Sequence, residues 1–258
     1  MRILSIDPAT KSLAVSLLDF NENWLGEIAD ISSSNRARFH AERDLLTRIN
    51  ILNNWVMEIK RIMDSIIHLK YVNVFDLIPG KKLADCPAIV RAQRLKGVVE
   101  YIKYINAKLG GSLDTVLIEY QMSLNDKSRG VSAGLVCEFS SASADFSSAS
   151  TYMNSKDEFA DALPRETCRV EIVGAALKGK VYFGSGNIQN FRKKYMSNYD
   201  CNKAHSKHNF LTWIADHDQQ HLIDGIPKSN LDDVADSFLM AYAWAIKESY
   251  ARKMNASE

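Results

Sequence analysis

The second residue of this chain already belongs to a strand. Arg2-Ile3-Leu4-Ser5-Ile6-Asp7 is an apolar β-run that ends on an aspartate, and Pro8 stops it. Side chains alternate along a strand, so Ile3, Ser5 and Asp7 share one face. A carboxylate there, before the small polar turn Ala9-Thr10-Lys11-Ser12, suits a metal ion or a phosphate. It equally suits a plain Asp-Pro turn. Acidic positions further along bear on that choice.

At 258 residues, 46% hydrophobic and 24% charged, the composition is that of an ordinary globular protein. No apolar run approaches the ~20 residues that span a bilayer, so no membrane association is expected. The chain opens directly on strand sequence, and no signal peptide is expected. Cys86, Cys137, Cys168 and Cys201 are far apart and form no CxxC pair, which points to free thiols in an intracellular, reducing compartment. Net charge is only +1, so a polyanion must be met by local patches. Lys81 to Lys108 holds seven Lys/Arg against two acids. Ile172 to Ala215 holds seven (Lys178, Lys180, Arg192, Lys193, Lys194, Lys203, Lys207) against Asp200 alone. Basic runs are commonly solvated faces; beside acidic strand ends they also suit a phosphate-binding rim.

Three strands open the chain in this reading: about 2–7, Leu13 to Phe20, and Trp24 to Ile31. One long helix is expected over about 36–69. Its Leu45, Ile49, Leu52, Val56, Ile59, Met63 and Ile66 repeat at 4-3 spacing, which fits a helix lying on the sheet or a dimer seam. Tyr71 to Ile78 reads as extended, and a second helix is expected over about 88–109, ended by Gly110-Gly111. Asp114 to Tyr120 is a short buried strand that closes on Glu119. The segment Glu138-Phe-Ser-Ser-Ala-Ser143 is echoed seven residues later by Asp145-Phe-Ser-Ser-Ala-Ser150, and 138–165 reads as a mobile insertion, with a second at about 71–87. A strand at Cys168 to Ala176, a basic helical stretch and a final helix from Leu231 to about Lys253 complete the order. It predicts an α/β domain over 1–258: a mixed sheet, three antiparallel strands then parallel ones, with helices on both faces.

Four carboxylates stand out: Asp7, Glu119, Asp233 and Asp236. Asp7 and Glu119 each end an apolar strand, where a charge is costly unless it is paired or bound to a cation. Asp233 and Asp236 are three apart and share one helix face. Asp232 and Asp233 also suit a helix start behind Ser229 and Asn230, and for Asp232 capping is a sufficient account. Four gathered carboxylates repel one another and call for divalent cations; hard oxygen donors select Mg²⁺, with Mn²⁺ able to substitute. Two such ions ~4 Å apart activate water and stabilise the leaving oxygen in phosphodiester hydrolysis. His205/His208 and His217/His221 lack the surroundings of a zinc site.

With these residues in view, the chain resembles the RuvC-like Holliday junction resolvases of the RNase H-like superfamily, in the branch of poxviruses and other large DNA viruses. The resemblance is carried by Ser5-Ile6-Asp7-Pro8-Ala9-Thr10-Lys11-Ser12, Val116-Leu117-Ile118-Glu119-Tyr120-Gln121 and Leu231-Asp232-Asp233-Val234-Ala235-Asp236-Ser237, in the family's order. It implies that Asp7, Glu119, Asp233 and Asp236 are the metal-binding acids. It implies a functional lysine for which Lys203 and Lys207 compete, with Lys207 preferred. It also implies a Mg²⁺-dependent homodimer that resolves four-way DNA junctions by paired symmetrical nicks, in the host cytoplasm or nucleus if viral. Lys127, Arg129, Lys178, Lys180, Arg192, Lys193, Lys194 and Lys203 are the expected DNA contacts.

Two other readings stay open at this stage. A related nuclease acting on RNA–DNA hybrids or other branched DNA would use the same acids. An actin-like or sugar-kinase-type nucleotide-binding protein would also place a phosphate turn after strand 1. It needs a second Gly-rich phosphate turn, and the sequence has no GxGxxG and no P-loop.

Overall fold

The structure, a computed structural model, describes residues 1–120, 126–140, 168–180 and 197–255. Its centre is a five-stranded mixed sheet of order β3-β2-β1-β4-β5. The strands are β1 (Arg2–Pro8), β2 (Ser12–Phe20), β3 (Ile67–Asp76), β4 (Thr115–Glu119) and β5 (Arg169–Val173). β1, β2 and β3 pair antiparallel, whereas β4 and β5 join β1 in parallel. This is the mixed sheet expected from the sequence.

Alternation along β1 explains why helices cover both faces. Leu4 and Ile6, with Leu13, Val15, Leu17, Val116 and Ile118, pack against Leu95, Val99 and Ile102 of α3 (Ala88–Lys108) and Val131, Leu135 and Phe139 of α4 (Asp126–Ser140). Ile3, Leu18, Leu69, Val72 and Leu117 face the other way. They meet α5 (Asn198–Asp216) and α6 (Leu231–Asn255), which are joined by an aromatic cluster. In it Phe238 lies 4.7 Å from Trp213 and 5.2 Å from Phe210, centroid to centroid.

The third strand is not where the sequence pattern predicted it. Residues 25–31 are helical, in α1 (Leu25–Ala41), Trp24 ends a short 3-10 turn before it, and β3 takes the place beside β2. The buried positions of α1 are Ile28, Ala29, Ser32 and Asn35, which follow the helical period with small and polar side chains. Their partners are polar too: Trp55 Nε1 donates to Ser32 Oγ at 3.3 Å, and Asn35 Nδ2 donates to Glu58 Oε2 at 3.2 Å. Hydrophobicity alone therefore hides this helix.

The single helix expected over 36–69 is two, α1 and α2 (Leu45–Ile66). Asp44 starts the second, accepting from the backbone N of Thr47 at 2.8 Å. The apolar stripe of α2 divides along its length. Met63 and Ile66 are buried and Ile59 packs on the core, whereas Leu45, Ile49 and Leu52 are exposed. Residues 71–76, expected to begin an insertion, belong to β3; the long non-strand connection lies between β2 and β3 instead. Of the other expected insertion, 138–140 end α4 and 141–165 lie outside the described residues.

Arg2 ties the edges of this arrangement together. Its guanidinium donates to both oxygens of Asp19, at 2.6 and 2.9 Å, and to Asn106 Oδ1 at 3.1 Å. The hydrogen bond to Asp19 is the main reason the Arg2 guanidinium holds its proton more tightly than usual. Gly111 lies against the guanidinium so closely that a Cβ would collide with it. Burial opposes ionisation of Asp19, but the hydrogen bond and charge of Arg2 outweigh it and hold this carboxyl below its ordinary 3.8. A depressed carboxyl contributes stability above that ordinary value and loses it as pH falls below. Replacing Arg2 by Met leaves Asp19 only the looser pair with Lys70, at 3.7 Å, and is expected to cost about 2 kcal/mol in urea unfolding at pH 7. The deficit should shrink as Asp19 protonates, and adding Asp19→Asn should recover part of it.

Candidate metal centre

The parallel pairing of β1 and β4 runs Ile3 with Thr115, Ser5 with Leu117 and Ile6 with Ile118. One step further along the same register, Asp7 lies opposite Glu119. The two acids therefore end adjacent central strands at the same edge of the sheet, as parallel neighbours must. Glu119 is buried, at 6% exposure, and Asp7 is partly exposed.

α6 supplies the other two acids because it crosses this face of the sheet. Ser237 Oγ and Ser16 Oγ share a buried hydrogen bond of 2.6 Å, and Ser16 is the β2 partner of Ser5. Further along the helix, Trp244 Nε1 donates to Glu171 Oε2 at 2.9 Å, and Glu248 meets Arg169 at the start of β5 at 3.2 Å. Ser16 and Glu171 lie on one row of the sheet, through Ser5 and Leu117, so the helix crosses the strands from β2 to β5, with Asp233 and Asp236 in its first two turns. Asp236 is 5% exposed. Every residue from Val234 to Ala245 is buried, so this stretch of the helix is covered on all sides and its carboxylate is covered too.

α5 brings a cation to this helix start. Lys203 Nζ donates to Asp233 Oδ1 at 2.7 Å and to Asp232 Oδ2 at 2.9 Å. Burial alone would weaken its hold on a proton. Hydrogen bonds and charge from Asp233 and Asp232 outweigh burial, so the ammonium titrates well above its ordinary 10.5. With a raised lysine, the stability of these pairs is full below that ordinary value and is lost only as pH rises through the higher one. One helical turn on, Lys207 Nζ donates to the Lys228 carbonyl at 2.7 Å, holding the turn that precedes α6. Of the two lysines weighed from sequence, Lys203 touches a site acid and Lys207 the backbone before it.

Of the four sequence-predicted acids, Asp7 and Glu119 end adjacent strands, and Asp233 and Asp236 lie on the helix that crosses that face of the sheet. Their oxygens are the hard donors that Mg²⁺ or Mn²⁺ takes, and two of the four are buried, where a bound cation offsets the desolvation of their charges. The donors fit the ion in kind. Among the described residues, no group of three or more His, Cys, Asp or Glu is drawn close enough to enclose one. Arg129 is exposed on α4. Lys178 and Lys180 sit in the single-turn helix 175–180, with side chains outside the described set, as is that of Lys127. Arg192, Lys193 and Lys194 lie outside the described residues. Asp232, read from sequence as a capping residue alone, proves to share the lysine; its place beside Asp233 was visible in the sequence, but its partner was not.

No family model matches the chain, and no curated protein matches it in sequence. Among the solved structures similar in overall trace are the following three. Fowlpox virus resolvase in complex with substrate Holliday junction DNA is 14% identical, covering 96% of this chain and 99% of its own, with a TM-score of 0.45. T. thermophilus RuvC in complex with a Holliday junction substrate is 11% identical, covering 98% and 96%, with a TM-score of 0.42. A further Thermus thermophilus RuvC structure is 12% identical, covering 96% and 98%, also at 0.42.

A carboxylate buried as deeply as that of Asp236 burdens the metal-free fold. Asp236→Asn is therefore expected to raise stability in EDTA by about 1 kcal/mol, measured as a higher melting temperature than that of the parent chain. A lower melting temperature would contradict this account of the site.

Proposed function

We propose that this protein is a divalent-metal-dependent, structure-selective DNA endonuclease that resolves four-way junctions by paired symmetrical nicks. The observation that supports the reading is that Asp7 and Glu119 end adjacent parallel strands at the same edge of the sheet, while Lys203 donates to Asp233 on the helix that crosses that sheet. The sequence motifs resembling junction resolvases contain these same four acids.

In this reading Asp7 and Glu119 hold metal at the strand ends, and Asp233 and Asp236 complete the donor set from α6. Bound Mg²⁺ supplies charge against the scissile phosphate and lowers the pKa of an attacking water. The rigid strand ends and the helix anchored by Ser237 keep the acids in position. We assign the cation facing the transition-state phosphate to Lys203, whose ammonium already lies at the acid cluster. Lys207 then orients the turn before α6.

Each chain carries one set of acids, so paired nicks on opposed strands call for two copies, and a homodimer is part of the proposal. The basic residues of 172–215, with Lys127 and Arg129, meet backbone phosphates; recognition is then of shape and charge more than of bases. Among the described residues no helix is long and apolar enough to cross a membrane.

The deciding experiment offers the purified chain a labelled four-way junction, a flap and an RNA–DNA hybrid, each with Mg²⁺ or EDTA. Symmetrical nicks in the junction that need Mg²⁺ are the expected result. Equal cutting of the hybrid or flap would move the assignment to a different branched or hybrid substrate, and no cutting of any would overturn it. Asp7→Asn, Glu119→Gln, Asp233→Asn and Asp236→Asn should each lower the rate by about 10³-fold or more while junction binding persists, because the lost interaction acts on the transition state. Binding itself should weaken steeply with salt, log K against log [salt] falling by about 0.9 for each phosphate neutralised. A flat salt profile would argue against backbone recognition.

A further inference from the structure

The Lys203 ammonium is held by two adjacent carboxylates, although only one of them belongs to the proposed metal-binding set. Its nitrogen is 2.7 Å from Asp233 Oδ1 and 2.9 Å from Asp232 Oδ2, and it lies 5.5 Å from the centre of the Tyr199 ring, one turn back on α5. All three groups are partly buried against the helix start, with side-chain exposures of 24%, 25% and 29% for Lys203, Asp232 and Asp233.

A divalent ion on Asp233 and the ammonium on Asp233 are rivals. They carry the same sign of charge and want the same carboxylate. With Asp233 as its sole partner, the lysine would have to be displaced for the metal to enter and would leave the site as it went. A second carboxylate one residue away removes that conflict. It keeps the ammonium beside the acids after Asp233 has turned to the metal, and it lowers the lysine's competition for Asp233 beforehand.

We infer that Asp232 is a positioning residue: it anchors Lys203 independently of Asp233, so that metal and lysine occupy the site together. The inference rests on the metal-binding reading of Asp233 given above. Asp232 acts through the lysine, and touches neither metal nor phosphate.

The test is Mn²⁺ binding to the full chain without DNA, read as free Mn²⁺ by electron paramagnetic resonance. Dissociation constants are compared for the parent, Asp232→Asn, Lys203→Ala and the double variant, with thermal melts in EDTA to follow folding. In the parent background, Asp232→Asn leaves Lys203 wholly on Asp233 and should weaken Mn²⁺ binding. In the Lys203→Ala background the same substitution should do far less, a difference between backgrounds of about fivefold or more. Asp232→Glu should restore the parent value, and Asp232→Ser, which keeps a helix-start residue, replaces Asp232→Asn if that variant fails to fold. Equal weakening in both backgrounds overturns the inference and makes Asp232 a direct metal ligand or a diffuse charge. Unchanged Mn²⁺ binding with a lower melting temperature also overturns it, leaving a capping role. Failure of the parent chain to bind Mn²⁺ at all overturns the metal-binding reading itself and this inference with it.

Discussion

Parallel pairing of β1 with β4 is the constraint on which the rest depends. Strands that run the same way end at the same edge, so an aspartate ending one and a glutamate ending the other must become neighbours. Both strands are central and covered on both faces, so those charges lie where desolvation is expensive and a compensating cation is favoured. An antiparallel pairing of the same two segments would have sent Asp7 and Glu119 to opposite edges. The direction of one strand pair thus decides whether these two acids can act together.

Packing elsewhere allows the acid end to be polar. On one face α3 and α4 seal the sheet with aliphatic side chains; on the other, Trp213, Phe210 and Phe238 lock α5 to α6. That aromatic cluster lies between the middle of α5 and the second turn of α6. It fixes the distance over which Lys203, earlier on α5, reaches the start of α6. The ion pairs of Lys203 are therefore presented by the core rather than assembled by the charges themselves. Surface pairs of this kind contribute little alone; here the supporting helices are already in place. The hydrogen bond between Ser16 and Ser237 has the same logic, setting the depth at which α6 lies on the sheet.

The helical hairpin between β2 and β3 shows where local pattern misleads. Its first helix buries Ala29, Ser32 and Asn35, side chains with too little hydrophobic contrast to display a period. Its second displays a long apolar stripe, yet only the C-terminal part is buried, and Leu45 remains 69% exposed. Periodicity reports the face a helix offers. Which turns of that face are covered depends on how far the helix overhangs the sheet.

The sequence by itself determined the elements with strong local signals and the identities of the acids. Alternating apolar runs ending on Asp7 and Glu119 specify strands because burial and β-geometry agree residue by residue, and Asp233 and Asp236 must share a face because a helix turns every 3.6 residues. Those are short-range consequences of chain geometry. Only the tertiary structure decided that residues 67–76, and not 24–31, complete the antiparallel trio, since pairing in the sheet is settled by the whole set of strands competing for an edge. It alone decided that Lys203, and not Lys207, meets a site acid, and that Asp232 shares that lysine. The two lysines are one helical turn apart and chemically alike, so nothing local separates them. What separates them is the rotation of α5 against α6, which the packing of Phe210 and Trp213 on Phe238 fixes.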